Sequence, residues 1–209
     1  MLAIIQSLPH INTSMAYLLN RINEQLAKAG LQPRTNQARA WLRSKIDDLK
    51  PSRQALLKDK GRMKDTTIIG RMYFFYYDPK MKETLPYYDR FPLVIPIEQY
   101  RDGFLGLNLH YIHPKQRILL LDELSEFANN SKYDASTKLR LSYDLLRRTG
   151  AVYQATPCIK RYLFTHVESR FLEITADEWD IAALLPLENF QKATASKVYA
   201  ESTKKMEES

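Results

Sequence analysis

Cysteine is nearly absent: Cys158 is the single one in 209 residues. An intramolecular disulfide framework and a multi-cysteine zinc site are therefore excluded, and a reducing compartment fits. Six glycines and ten prolines exclude collagen-like and linker-like chains. No run reaches the roughly 18 apolar residues that a membrane span needs. The apolar start, residues 1–19, lacks a basic n-region and is cut by Ser7, Pro9, His10, Asn12 and Thr13. It reads as part of the mature protein and not as a signal peptide. Neither G-x-x-x-x-G-K-[ST] nor G-x-G-x-x-G occurs, so no glycine loop cradles a phosphate. What is present is 44% hydrophobic and 26% charged, enough apolar material for a core, which excludes a wholly disordered chain.

Charge is the informative quantity. The chain carries 31 Lys+Arg against 24 Asp+Glu, a net of +7. Residues 1–65 hold 12 basic and 5 acidic residues, so the whole excess sits in the first third and the remainder is neutral. Such asymmetry suggests a polyanionic partner, most simply nucleic acid. Between Arg34 and Lys64 the cations recur every two to five residues: Arg34, Arg39, Arg43, Lys45, Lys50, Arg53, Lys58, Lys60, Arg62 and Lys64. That placement suits phosphate contact along a groove. Trp41 falls on an apolar stripe, so base stacking in this arm is not supported. No recognition helix with Asn, Gln and Arg triplets is visible, and little sequence specificity follows. The competing reading is a solvated face that docks on an acidic protein.

The pattern predicts a helix over 13–29, stopped by Gly30, and another over 36–49, capped by Thr35 and ended by Pro51. On the second, Ala38, Trp41, Leu42, Ile46 and Leu49 make the apolar stripe, with Arg39, Arg43 and Lys50 off it. Residues 51–66 read as a linker or short helix. Strands are expected at 71–77, at 92–100 with Pro96 forcing an edge position or a bulge, and at 104–112 after a tight Arg101-Asp102-Gly103 turn. Helices are expected at 115–129 and 135–148, with a short one at 159–167. Residues 170–174 and 181–187 read as two more strands around an acidic turn, and the tail from Lys192 as exposed or disordered. The class is α+β: a small antiparallel sheet or barrel with a helical insertion, preceded by a basic helical arm. The division is arm 1–65, body 66–192 and polar tail 193–209.

Chemistry is sparse. His110 and His113 lie three apart where a strand meets a proline turn, and no third metal ligand accompanies them. Asp122, Glu123 and Glu126, and Asp177, Glu178 and Asp180, could hold a divalent ion in a nuclease. Neither group has the strand-borne Asp…Glu-x-Lys pattern, so solvated faces and a turn are expected. Cys158 has no oriented base and reads as a buried structural residue. Tyr73, Tyr76, Tyr77, Tyr87 and Tyr88 form a cluster divided between core and interface readings. No catalytic residue, metal or cofactor is expected.

Several strings are unusual: Gly70-Arg71-Met72-Tyr73, Tyr77-Asp78-Pro79-Lys80, LPYYDRFP (85–92), GLNLHY (106–111), YDASTKLRLSY (133–143) and PLENFQKA (186–193). Over residues 70–202 the chain resembles the DNA end protector proteins of large contractile-tailed phages; the first 65 residues match only in being basic and helical. The resemblance implies a non-enzymatic virion protein, made in the host cytoplasm and added late to the head–neck region. It would bind the double-stranded ends of the packaged genome, shield them from host exonuclease and complete the head. Portal or neck proteins would be its partners, in a multi-copy or ring-like arrangement and without a membrane. The alternative is a structural portal or neck adaptor that never grips a DNA end.

Overall fold

The computed structural model describes residues 22, 24–33, 35–49, 52–58, 60–129 and 158–207. The apolar start and the helix expected at 135–148 lie outside them. In chain order the main elements are α1 (Asn36–Leu49), α2 (Arg53–Leu56), β1 (Met63–Lys64), β2 (Met72–Phe74), β3 (Tyr88–Asp89), β4 (Leu93–Tyr100) and β5 (Gly103–Asn108). There follow α3 (Pro114–Asn129), β6 (Ile159–Leu163), β7 (Phe171–Ile174), α4 (Trp179–Leu184), β8 (Phe190–Gln191) and α5 (Ala195–Glu207).

Six strands form one antiparallel sheet in the order β1-β7-β2-β4-β5-β6, and β3 pairs with β8 beside it. β1 and β6 are free edges, so the α+β sheet expected from sequence is open and does not close into a barrel. Alternation along β2 explains the unbroken aromatic run at 72–75. Met72 and Phe74 enter the larger apolar cluster, while Tyr73 and Phe75 enter a second, aromatic one with Phe104, Tyr162 and Phe171. A strand buried on both faces reads as continuous apolar sequence. Ile22, Leu26, Ala38, Leu42 and Leu56 join the same cluster as Leu93, Leu121 and Leu172.

Two sequence signals act as read. Residues 24–28 are helical and end in a Schellman turn: Gly30 has φ +68°, its N–H donates to the Ala27 carbonyl, and the Leu31 N–H donates to that of Leu26. Pro96 lies at a bulge, where the register with β5 shifts between Pro96 and Glu98. β4 is nonetheless interior, because its pairing with β2 involves only Leu93 and Val94 and is over before Pro96.

Three expectations are overturned. Residues 159–163 are strand β6 and not a helix; only a single 3-10 turn, Phe164–His166, follows. The helix-like spacing of Ile159, Tyr162 and Leu163 loses to five residue pairs with β5, from Gly103↔Leu163 to Leu107↔Ile159. Residues 181–187 contain no strand: Ile181–Leu184 belong to α4. A short apolar run buried on all sides cannot be assigned by periodicity. The local signal is the capping box of the 3-10 turn Ala176–Glu178, in which Glu178 answers Thr175; α4 follows that turn directly. The tail is ordered as α5, which inserts Val198 and Ser202 into the interior.

β6 approaches β5 so closely that a Cβ on Gly103 would lie 1.9 Å from the Tyr162 carbonyl oxygen. The obstacle is backbone and cannot rotate away. Gly103→Ala is expected to lower unfolding stability by about 1–3 kcal/mol, read from urea denaturation; an unchanged midpoint would contradict this close approach.

Candidate nucleic-acid interface

α1 starts where the Thr35 hydroxyl accepts the Ala38 N–H at 3.1 Å, a cap worth about 1 kcal/mol. The helix buries Ala38 and Leu42 and exposes Arg43 and Lys45. Arg39 falls on the buried side, only 7% exposed. Its Nε donates to Asp180 Oδ2 at 2.8 Å, and its two Nη groups grip the Asp122 carboxylate. Burial opposes the charge, but the two carboxylates outweigh it and raise the Arg39 pKa. Arg53 donates to the carbonyls of Leu187 (2.7 Å) and Glu188, and Arg62 pairs with Glu178.

The ten cations singled out in the sequence therefore divide. Arg43, Lys45, Lys58 and Lys64 are exposed, with Lys45 3.5 Å from Asp48 and Lys64 3.9 Å from Glu173. Arg39, Arg53 and Arg62 fasten the first third of the chain to its last third. Arg34, Lys50 and the Lys60 side chain lie outside the described residues. Of the acids expected to be solvated, Glu178 (2% exposed) and Asp180 (7%) are buried counter-charges, Asp122 and Glu123 are exposed, with Asp122 still pairing with Arg39, and the Glu126 and Asp177 side chains lie outside the described residues. Among the described residues no cluster of His, Cys, Asp and Glu could hold a metal, and no helix is long and apolar enough to cross a membrane.

His110 and His166 do structural work. His110 is fully buried, its Nδ1 2.7 Å from Asp89 Oδ2. The other Asp89 oxygen accepts the N–H groups of Phe91 (3.0 Å) and Asn189 (3.1 Å), which ties β3 to β8. His166 Nδ1 donates to the Asp78 carbonyl at 2.8 Å. Arg117, 1% exposed, is a second hub. It donates to the carbonyls of Ile112 (2.7 Å), Ala183 (2.9 Å) and His110 (3.2 Å), to Glu188 Oε1 (2.5 Å) and to the Tyr199 hydroxyl (2.7 Å). Burial alone would raise the Glu188 pKa. His110, Arg117 and the Tyr199 hydroxyl reverse that and bring it down to about 2.

One cavity sequence reasoning missed lies between the 77–88 loop and β6, with a volume of about 290 Å³. Tyr77, Tyr88, Tyr111 and Tyr162 contribute to its walls and Lys80 and Lys160 to its lining. The Lys160 ammonium lies 4.9 Å over the Tyr111 ring. Burial, with the Lys205 charge nearby, pushes its pKa below the ordinary lysine value. The tyrosine cluster was the only sequence signal pointing here. Of its five members, Tyr73, Tyr77 and Tyr87 are buried, while Tyr76 and Tyr88 are partly exposed.

A family model described as Phage T4 terminal DNA protecting protein matches residues 15–206. No curated protein and no solved structure matches the chain.

Two measurements follow from the ion-pair geometry. Arg39→Ala leaves Asp180 buried without its cation and is expected to cost about 3–5 kcal/mol, whereas Arg43→Ala is expected to stay within about 0.5 kcal/mol of the parent; chemical denaturation separates them. Glu188 has a folded pKa of about 2 against an unfolded value near 4.5. Its contribution is complete above about pH 4.5 and is lost as pH falls toward 2. Glu188→Gln is expected to flatten the stability–pH slope in that window and leave the slope above pH 6 unchanged.

Proposed function

The chain belongs to the phage T4 terminal DNA protecting protein family, and from that premise we propose that it occupies the ends of the packaged linear genome and blocks exonuclease access by occlusion. The observation that carries this reading is the charge distribution. The entire net charge of +7 is concentrated in residues 1–65, and Arg43, Lys45, Lys58 and Lys64 of that segment face solvent. An exonuclease must grip or thread a free duplex end. A protein held there by several phosphate contacts removes the substrate without any reaction, which is consistent with a family named for protection.

Arg34, Lys50 and Lys60 extend the same set of phosphate contacts in this reading. Arg39, Arg53 and Arg62 serve it indirectly, by fixing the scaffold that presents the others. The protein acts in the virion, at the head–neck junction, after assembly in the host cytoplasm. The neutral, tyrosine-rich body docks on a portal or neck protein in several copies and completes the head.

The test is an exonuclease challenge of linear duplex DNA with a nicked circle as competitor. Protection that survives the circle is expected, because the circle offers phosphates but no duplex ends. Protection abolished by the circle would leave a general DNA binder, and none at all would favour a purely structural adaptor. Replacing Arg43, Lys45, Lys58 and Lys64 together with Ala is expected to weaken DNA binding at low salt. It should also flatten the log K against log salt slope by about 0.9 for each phosphate no longer neutralised; unchanged affinity and slope would exclude these four as phosphate-binding groups.

A further inference from the structure

The cavity beside β6 combines two features that ordinary core packing does not require together. The first is an ammonium without a counter-ion: among the described residues Lys160 makes no ion pair, and it lies over the Tyr111 ring with the like charge of Lys205 nearby. Lys80, also on the lining, is exposed and makes no ion pair among the described residues. The second is an idle aromatic ring. Tyr73, Tyr76, Tyr77 and Tyr87 all stack on or abut another ring. Tyr88 has no ring neighbour and no hydrogen bond to its hydroxyl among the described residues, yet it lines the cavity.

The cavity floor is rigid. Asp89, next to Tyr88, is locked by His110, Phe91 and Asn189, and the Tyr162 hydroxyl accepts from Asn108 at 3.1 Å. A partly buried cation is stabilised by an anion, because pairing offsets the loss of water. An exposed ring face in an apolar hollow is stabilised by a flat partner. A ligand that satisfies both is planar and apolar at one end and anionic at the other. At about 290 Å³ the space lies at the lower edge of small-ligand sites. It suits one nucleotide and is too small for a base pair.

We propose that this cavity takes the terminal nucleotide of a DNA strand, unpaired from its partner, with the base against Tyr88 and its phosphate between Lys160 and Lys80. This rests on the end-binding reading above and adds to it. Phosphate contacts along the first third hold the duplex; the cavity distinguishes an end from a continuous helix, because only an end can yield a single nucleotide at small cost in pairing and stacking.

The experiment uses the full chain and a short blunt duplex carrying 2-aminopurine either at the terminal position or at an interior one. Binding is expected to change the fluorescence of the terminal probe and leave the interior probe unaffected. Tyr88→Leu is expected to remove the terminal signal and weaken end binding by roughly 5- to 150-fold, with Tyr88→Phe restoring both. Lys160→Gln is expected to weaken end binding with the terminal signal reduced, while binding to a covalently closed circle is unchanged for every variant. Thermal unfolding of each variant establishes that it is folded. A protein that protects ends but leaves the terminal probe unaffected overturns the cavity assignment and spares the end-binding reading. The same holds if Tyr88→Leu behaves as the parent. Absence of any DNA binding overturns both, and capture of a carboxylate-ended apolar peptide in place of DNA would reassign the cavity to a protein partner.

Discussion

A guanidinium cannot be taken out of water without a counter-charge, and Arg39 obeys that rule at the junction of three helices. It stands on α1, meets Asp122 on α3 and meets Asp180 on α4. Arg62 on Glu178, and Arg53 on the carbonyls before β8, repeat the arrangement. A desolvated pair contributes little net energy but strongly penalises any arrangement that separates it. The first third of the chain is thereby oriented as well as attached. Its remaining cations are presented from a fixed frame, which lowers the ordering cost when they meet a polyanion.

The sheet supplies the other half of that frame. Because β2 is covered on both faces, the loop that leaves it at 77 and returns through β3 is anchored at both ends. Asp89 holds the return in place by accepting two backbone N–H groups while it faces His110. Arg117 is a second buried centre, gathering three carbonyls, Glu188 and Tyr199.

Much of this is legible in the sequence alone. The Thr35 cap, the Gly30 stop, the tight turn at Arg101-Asp102-Gly103, whose Gly103 already pairs with Tyr100, and the bulge at Pro96 are local chemistry legible in sequence. What fails is decided by distant partners. Ile159–Leu163 is a strand because β5 carries glycine where the backbones nearly touch. Ile181–Leu184 is a helix that shows no period because it is buried on every side. Arg39 looks solvent-facing on a wheel drawn for α1 alone; only Asp122 and Asp180, far along the chain, make its position intelligible. For the site, the charge asymmetry is readable, but its division into exposed and buried cations is not. Lys160 gives no signal at all, since its significance lies in which groups the fold brings near it.

Those distant partners also set an order in time. Arg39 precedes Asp180 by 141 positions, and Arg53 precedes Leu187 by 134. Contacts of such separation form late, after the intervening chain has been ordered. On the ribosome the basic third emerges first and waits for its partners, of which Asp180, Glu178 and the Leu187 and Glu188 carbonyls come only with the last third. Until then it carries three uncovered guanidiniums, of which the finished molecule buries Arg39 and partly covers Arg53 and Arg62. The nascent chain is therefore a stickier polycation than the mature protein, and folding itself subtracts from its indiscriminate attraction to nucleic acid.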